Sequence, residues 1–142
     1  MANTACGVYA RESRRIRGIK TITKENIDKL SVPDDSVALA GYNVDIHQNG
    51  VGLRLLPSEH AIGIPYGCLV SDNIEGLLAS GRCISVEPYP FGLTRAMATC
   101  MAIGEAAGMA AGIAVKDSCS LKNVKVKKLQ QALQQAGAIV SR

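Results

Sequence analysis

A run of small and apolar residues from 94 to 115, in which glycine recurs at four-residue spacing, constrains this chain more than any other feature. Gly104, Gly108 and Gly112 are set among many alanines. Residues four apart lie on one face of an α-helix, so the run predicts a long helix with a row that lacks Cβ atoms. A second backbone or a flat ligand can approach such a row closely.

Two interpretations of this helix are open. Glycines at this spacing also form the packing face of transmembrane helices. However, alanine and glycine dominate where a lipid-facing helix carries leucine and isoleucine, Glu105 lies in the middle, and neither end has an aromatic belt. These features favour a soluble helix packed against a sheet or a cofactor, and a small membrane protein is the alternative.

Length and composition set the broad class. With 142 residues and 47% apolar side chains, the chain is long enough for one compact domain with its own core. Its net charge of +4 is concentrated near the two ends, and it contains no tryptophan and one phenylalanine. Nucleic-acid binders usually combine a stronger basic stripe with a docking motif or stacking aromatics, so we expect no nucleic-acid partner.

The five cysteines are scattered and include no Cys-x-x-Cys pair. This spacing argues against a zinc site and against a disulfide framework. It indicates free thiols in a reducing compartment, so we expect a cytoplasmic protein without a bound metal. The first residues lack a basic start followed by an apolar run, so no secretory signal is expected.

The remaining pattern predicts a mixed α/β fold of short elements. Thr23 is a suitable N-cap, and Leu129 and Leu133 mark an amphipathic helix that Gly137 ends. The apolar run before Gly81 predicts a buried strand whose end opens towards a site. In chain order we expect a helix at 23–30, a strand at 36–42 followed by an alternating run at 42–47, a turn at 48–50, and a strand at 51–56 that pairs back as a hairpin. An extended segment at 62–70, a strand at 75–82, a loop from 90, the long helix at 94–115 and a last helix at 126–136 follow.

The amino end of the long helix is a candidate binding site. A loop containing Pro90 and Gly92 is expected to lead into it, which would leave backbone N–H groups and the positive end of the helix dipole facing the space beyond Gly81. Such an arrangement suits an anion or an electron-rich carbonyl oxygen.

Asp45 and His47 are candidate catalytic residues. They are two positions apart in an alternating segment, so an extended strand places them on one face. An imidazole oriented by a carboxylate can move a proton or bind a substrate. An exposed hairpin pair is the alternative. His60 follows a Pro-Ser-Glu turn, which favours a surface role, and these three residues do not have the spacing of a metal site.

A basic segment near the start offers anion-binding groups. Arg11, Arg14, Arg15 and Arg17 are close enough in sequence to bind an anionic substrate or a phosphate through bidentate contacts. A solvated basic face is the alternative, and it is preferred for Arg17.

Five blocks of sequence, in this order and spacing, resemble the C-terminal part of the FAD-dependent oxidoreductase family related to glutathione-reductase-type flavoproteins. They cover nearly the whole chain. The blocks are Arg-Glu-Ser-Arg-Arg-Ile-Arg-Gly (11–18), Tyr-Asn-Val-Asp-Ile-His (42–47), Ile-Pro-Tyr-Gly-Cys-Leu-Val (64–70), Leu-Leu-Ala-Ser-Gly-Arg-Cys-Ile-Ser (77–85) and Arg-Ala-Met-Ala-Thr-Cys-Met-Ala-Ile-Gly-Glu-Ala-Ala-Gly-Met-Ala-Ala (95–111).

The resemblance implies a flavin site. In such flavoproteins Gly81 and Arg82 would lie beside the ribityl chain and pyrophosphate of FAD, with a surface ion pair as the alternative for Arg82. N–H groups near Ala98 and Thr99 would stabilise the negative charge that reduced flavin carries at N1 and O2. Family members commonly have proline at the position of Ala98. The cofactor-binding residues implied are Gly81, Arg82, Thr94, Arg95, Met97, Ala98 and Thr99.

The resemblance also implies roles for the earlier residues. Asp45 and His47 would act near the flavin, and Arg14 and Arg15, with Arg11, would bind substrate or contact another domain. Residues 1–61 would form a substrate or interdomain segment, and 62–142 would close the FAD site. The parent enzyme would transfer a hydride between a small-molecule substrate and FAD.

The Gly-x-Gly-x-x-Gly motif that places the FAD pyrophosphate on a helix N-terminus has no match here. We therefore expect a fragment that lacks the N-terminal Rossmann βαβ unit, with the nucleotide-binding half in the same or a separate chain. Alone, it would be inactive and would self-associate. A non-catalytic remnant or partner-binding module is the alternative function.

Overall fold

The computed structural model describes residues 12, 14–44 and 60–141, and these form an α+β unit around one hydrophobic core. The predicted hairpin turn at 48–50, the strand 51–56, Arg11, Asp45 and His47 lie outside the described residues. Short 3₁₀ turns occur at Tyr66–Cys68, Gly81–Cys83 and Leu121–Asn123. The helices and strands are α1 (Lys24–Asp28), β1 (Ser36–Ala40), β2 (Ile62–Pro65), α2 (Pro88–Thr94), α3 (Met97–Lys116) and α4 (Val126–Gln135).

The two strands form a small antiparallel sheet at the centre. Ala40 is paired with Ile62 and Ala38 with Ile64, with an irregularity between Ser36 and Ala38. A Cβ atom at Gly63 would overlap the Ser36 hydroxyl, so only glycine allows this approach. Because β1 and β2 lie on either side of the proposed division at residue 61, the two segments share one core, and their functional division stays a prediction.

Helices α3 and α4 cover the sheet. α3 packs on β1 and on α4. The side chain of Gln130 in α4 donates hydrogen bonds of 2.8 Å to the carbonyls of Asp34 and Ser36, which anchors α4 at the edge of β1. The buried residues of α3 are Thr99, Ile103, Ala106, Ala110, Ile113 and Ala114, and those of α4 are Leu129 and Leu133.

The predicted helix boundaries that depend on local signals are confirmed. The Thr23 N–H donates to the Asn26 Oδ1 at 2.8 Å, and α1 begins at Lys24. Gly137 has φ +93° after α4. Its N–H donates to the Gln134 carbonyl at 3.0 Å and that of Ala138 to Leu133 at 2.9 Å, the two bonds of a Schellman cap.

The prediction of a buried strand at 75–82 is wrong. Residues 72–77 are exposed. Among the described residues, the following segment pairs with the core only at an isolated bridge between Val70 and Leu78, where the Ala79 N–H donates to the Leu69 carbonyl at 2.8 Å and the Ser71 N–H donates to the Leu77 carbonyl at 3.2 Å. Gly76 and Gly81 have φ of +72° and +63°. These left-handed conformations interrupt an extended chain on both sides of the apolar run.

The predicted loop and single long helix are also corrected. Residues 88–94 form the separate helix α2, because Pro88 and Pro90 fall in its first turn, where a missing N–H costs nothing. Ala96 is extended, with ψ 143°, and α3 starts at Met97. The helix prediction itself is confirmed from Met97 onwards.

Stability should fall at alkaline pH because of Cys68. Burial raises the pKa of its thiol from 9.0 to about 12, and the charge of Asp35 adds to the effect. A raised native pKa means that the folded state favours the protonated thiol, so its stabilisation is complete below pH 9.0 and is lost as pH rises towards 12. Burial likewise raises the pKa of Tyr66 from 10.0 to about 12.

We expect the melting temperature to decrease steadily above pH 9.0. Calorimetric melts over this range measure it, and Cys68→Ala serves as the control because it removes the thiol whose pKa is raised to about 12. The decrease should then be smaller, since Cys100 and Tyr66, whose pKa values burial also raises, remain. A melting temperature that stays constant between pH 9.0, the ordinary pKa of a cysteine thiol, and about 12, the pKa of Cys68 in the folded chain, would contradict this expectation.

Candidate functional site

A cavity of about 350 Å³ lies at the amino end of α3. It is formed where the chain leaves β1 and where α3 begins, so the central sheet fixes one wall and the helix start fixes the other. Small side chains keep this space open. The lining residues are Leu39, Gly41, Tyr42, Ala96, Ala98 and Thr99.

The backbone makes this end of α3 a donor site. The first intrahelical bond is donated by Cys100 to the Ala96 carbonyl at 2.8 Å. The N–H groups of Met97, Ala98 and Thr99 therefore have no intrahelical acceptor. No acidic residue lies in the first turn of α3. The positive end of the helix dipole is thus unopposed there, and it favours an anion or a polarised carbonyl oxygen.

The predicted residues Gly81 and Arg82 lie in a 3₁₀ turn that packs on α3. A Cβ atom at Gly81 would be 3.6 Å from the Cys100 Sγ. Burial raises the pKa of Cys100, and the nearby positive charge of Arg82 acts in the opposite direction. The structure therefore brings the Gly81–Arg82 turn to the first turns of α3, as predicted, although no strand ends at Gly81.

Thr94 and Arg95 lie just before this site, at the end of α2. Thr94 is fully buried, and its hydroxyl is 3.5 Å from the Phe91 carbonyl. The Arg95 N–H caps α2 by donating to the same carbonyl at 3.2 Å. The Thr94 carbonyl accepts a hydrogen bond from the Cys100 thiol at 3.6 Å. Thr94 is therefore placed to join α2 to α3 and does not line the cavity.

The basic segment runs beside the Gly81–Cys83 turn. The Ile16 N–H donates to the Cys83 carbonyl at 2.9 Å. Arg15 pairs with Glu12 at 2.6 Å and its guanidinium lies 5.2 Å from the centre of the Phe91 ring. Arg14 is exposed and Arg17 is 3.4 Å from Asp72, a surface ion pair. Substrate binding by Arg14 and Arg15 stays a prediction, and Arg15 already has an anionic partner.

His60 is more buried than its sequence position indicates. It is partly exposed as a residue, but its Nδ1 is buried and has no hydrogen-bond partner in the part of the chain that the structure describes. The Pro-Ser-Glu sequence before it predicted a surface role, and no local signal could have shown the burial of Nδ1. Among residues 12, 14–44 and 60–141, no group of His, Cys, Asp and Glu could hold a metal ion.

The glycine row lies on an open face of α3. A Cβ atom at Gly104, Gly108 or Gly112 would have no described atom within 4 Å outside its own helix. Among the described residues this row is therefore open, and the alanines and isoleucines on the other side of the helix pack within the chain. On the same open side, Met97 is 84%, Met101 75% and Val115 81% exposed.

The start of α3 should accept proline at position 98. The Ala98 N–H has no intrahelical acceptor, so Ala98→Pro removes no helical hydrogen bond and should change the free energy of unfolding little. In the matched control Ala102→Pro, one turn later, the substitution breaks the ladder and should cost about 3 kcal/mol. Thermal melts of the three chains measure both effects. Equal destabilisation by the two prolines would place the helix start elsewhere.

Comparison with known proteins identifies a family for this chain. A family model described as FAD dependent oxidoreductase matches residues 1–133. Searches of curated proteins and of solved structures found no significant match. The family match spans the basic segment, the Gly81–Cys83 turn, the cavity and the whole of α3. This chain belongs to the FAD dependent oxidoreductase family.

Proposed function

We propose that this chain supplies the flavin-side part of an FAD-dependent oxidoreductase of the glutathione-reductase type. The observation that carries the proposal is the cavity at the start of α3, where the N–H groups of Ala98 and Thr99 are free to donate. FAD supplies the hydride chemistry, and the chain orients the ring and stabilises charge. Donors at a helix start favour the negative charge that reduced flavin carries at N1 and O2.

The residues around the cavity fit the pyrimidine edge of a flavin. Gly41, Ala96 and Ala98 leave room for a flat ring, and the absence of an acidic residue in the first turn of α3 avoids repulsion of an anionic edge. Arg82 lies in the Gly81–Cys83 turn that packs on α3, and we propose that its guanidinium binds a ribityl or phosphate oxygen of the cofactor. Asp45 and His47 are proposed to act on the substrate.

The nucleotide-binding half of FAD needs a partner. The sequence contains no Gly-x-Gly-x-x-Gly motif, so a separate glycine-rich unit, in the same or another chain, would hold the pyrophosphate. We place its docking surface on the open face of α3, defined by Met97, Met101, Gly104, Gly108, Gly112 and Val115. Two of these glycines and all three large side chains are exposed, and the glycines allow close backbone approach.

A membrane span is the second candidate for this face. In the described part of the chain, α3 is the one helix with the length and composition to cross a bilayer, with a mean hydropathy of 1.5. Against it, the other side of α3 packs on β1 and α4, and Glu105 is exposed in the middle of the helix. We therefore favour a protein partner and a soluble cytoplasmic enzyme, in which the free Cys68, Cys83, Cys100 and Cys119 would stay reduced.

The purified chain should be colourless or nearly so. Only flavin-side contacts are present, and without the pyrophosphate contacts their sum should not offset the loss of freedom on binding. An absorbance spectrum of the purified chain and a titration with FAD, followed by flavin fluorescence, measure this. A yellow protein that carries tightly bound flavin in a one-to-one ratio would show that the chain needs no partner half.

The open face of α3 should also cause self-association. Met101→Lys places a charge in the middle of this face, and because Met101 is 75% exposed the melting temperature should change little. The sedimentation coefficient and the amount of hydrophobic dye bound should both decrease relative to the unmodified chain. Gln135→Lys, which adds the same charge at an exposed position on α4, is the matched control. If Met101→Lys and Gln135→Lys reduce self-association and dye binding equally, the added charge alone explains the reduction and the open face is not an interface.

A further inference from the structure

We propose that a groove between α4 and the turn at residues 30–34, here named the α4 groove, binds a short peptide with a free ammonium and a free carboxylate. Its volume is about 630 Å³, a size typical of small-molecule sites. It lies at the amino end of β1, whereas the cavity at the start of α3 lies at the carboxyl end of this strand. The two spaces share no lining residue, so the α4 groove is a site separate from the proposed flavin site.

Hydrogen bonds hold the two walls of the α4 groove together. The Gln130 side chain in α4 donates to the carbonyls of Asp34 and Ser36, both at 2.8 Å, and so joins one wall to the other. The Ser36 hydroxyl donates to the Pro33 carbonyl at 2.6 Å and fixes the turn itself. The groove is therefore preformed, and a ligand does not have to order its walls on binding.

Leu30, on the wall before β1, has a strained backbone. The Ser31 N–H donates to the Asn26 carbonyl at 2.9 Å and the Leu30 N–H to Ile27 at 3.1 Å, the two bonds of a Schellman cap. This cap needs a left-handed residue, which is most often glycine, and Leu30 adopts it with φ +48°. The leucine side chain packs on the core and lines the groove. Strain of this kind is found at ligand clamps, and here it gives the groove an apolar contact surface.

Two opposite charges line the α4 groove without neutralising each other. Asp34 is on the wall before β1 and Lys127 is on α4, and both are exposed. Neither has an ion-pair partner among the described residues, whereas Lys128, the next residue of α4, is 2.6 Å from Asp117. Opposite charges that share one groove and stay apart suit a ligand that carries both charges, because each ligand charge then meets its counter-charge.

The amides on the α4 wall favour a peptide as this ligand. Lys127, Gln131 and Gln134 are four and three positions apart, so they share one helical face. The two glutamine amides have no hydrogen-bond partner in the part of the chain that the structure describes. An amide both donates and accepts, as a peptide group does. A sphere of the groove's volume is roughly 11 Å across and an extended chain covers about 3.3–3.6 Å per residue, so about three residues fit.

Calorimetric titration of the complete chain with the tripeptide Ala-Ala-Ala tests this inference. Near pH 7 both termini of this peptide are charged. We expect the N-acetylated and the C-amidated tripeptides each to bind roughly tenfold more weakly than the free tripeptide, because each lacks one charge-assisted hydrogen bond. Free alanine should also bind more weakly, since it cannot reach both charged side chains.

Two variants assign each peptide terminus to its residue. Asp34→Asn should abolish the preference for a free ammonium, and Lys127→Gln the preference for a free carboxylate, while each leaves the other preference intact. Lys125→Gln removes an exposed charge of the same helix start outside the groove. It is the matched control and should bind like the unmodified chain. All three side chains are exposed, so the melting temperatures, which verify folding, should change little.

Four results would overturn the inference. They are a failure of Ala-Ala-Ala to bind, equal binding of the blocked and free tripeptides, binding of alanine as tight as that of the tripeptide, and equal weakening by Lys125→Gln and Lys127→Gln. The comparison of blocked and free peptides needs only the unmodified chain, so it decides the question even if a variant does not fold. The flavin site has other residues, and the proposed function stands in each case.

Discussion

The structure depends on the different chemistry of the two sides of α3. On one side, Ile103, Ala106 and Ala110 are fully buried, and the two alanines are short enough for the helix to lie close to the sheet. On the other side, a Cβ atom at Gly104 or Gly108 would have no described atom within 4 Å outside its own helix. A helix with a uniform apolar surface would have no preferred side. Here the buried side fixes the position of α3 on β1, and this position determines where the helix begins relative to the end of the strand.

Helix boundaries and helix faces that depend on interactions within one helical turn could be predicted from the sequence. The capping pattern at Thr23, the leucine pair of α4 and the left-handed Gly137 act over three to five residues, so tertiary packing does not override them. The apolar run before Gly81 was different. Its residues suit a buried strand, but the positive φ of the flanking glycines and a turn in the chain prevent one. Apolar composition alone does not separate a strand from a buried irregular segment.

In the candidate site, too, features set by neighbouring residues could be predicted and features set by distant contacts could not. The location of Ala98 and Thr99 at the start of α3 was implied by the family resemblance, because the local pattern predicted a helix from 94. The extended Ala96 that separates α2 from α3 carries no such signal. The direction of the glycine row and the burial of the His60 imidazole depend on contacts between distant segments. Spacing shows that three glycines share a face, but which face packs inward is decided by the residues opposite the helix.

The donor end and the open face belong to one helix, so the flavin binding and the partner docking that we propose would be linked. Met97 stands at the first turn of α3 and Met101 one turn later, about 6 Å along the axis. Both are exposed on the side where we place the partner. A unit docked there would reach the mouth of the cavity and exclude water from it. Exclusion of water lowers the local dielectric constant and strengthens the attraction between the N–H groups of α3 and a negatively charged flavin edge. Assembly would therefore complete the binding of FAD and also increase the stabilisation of its reduced form.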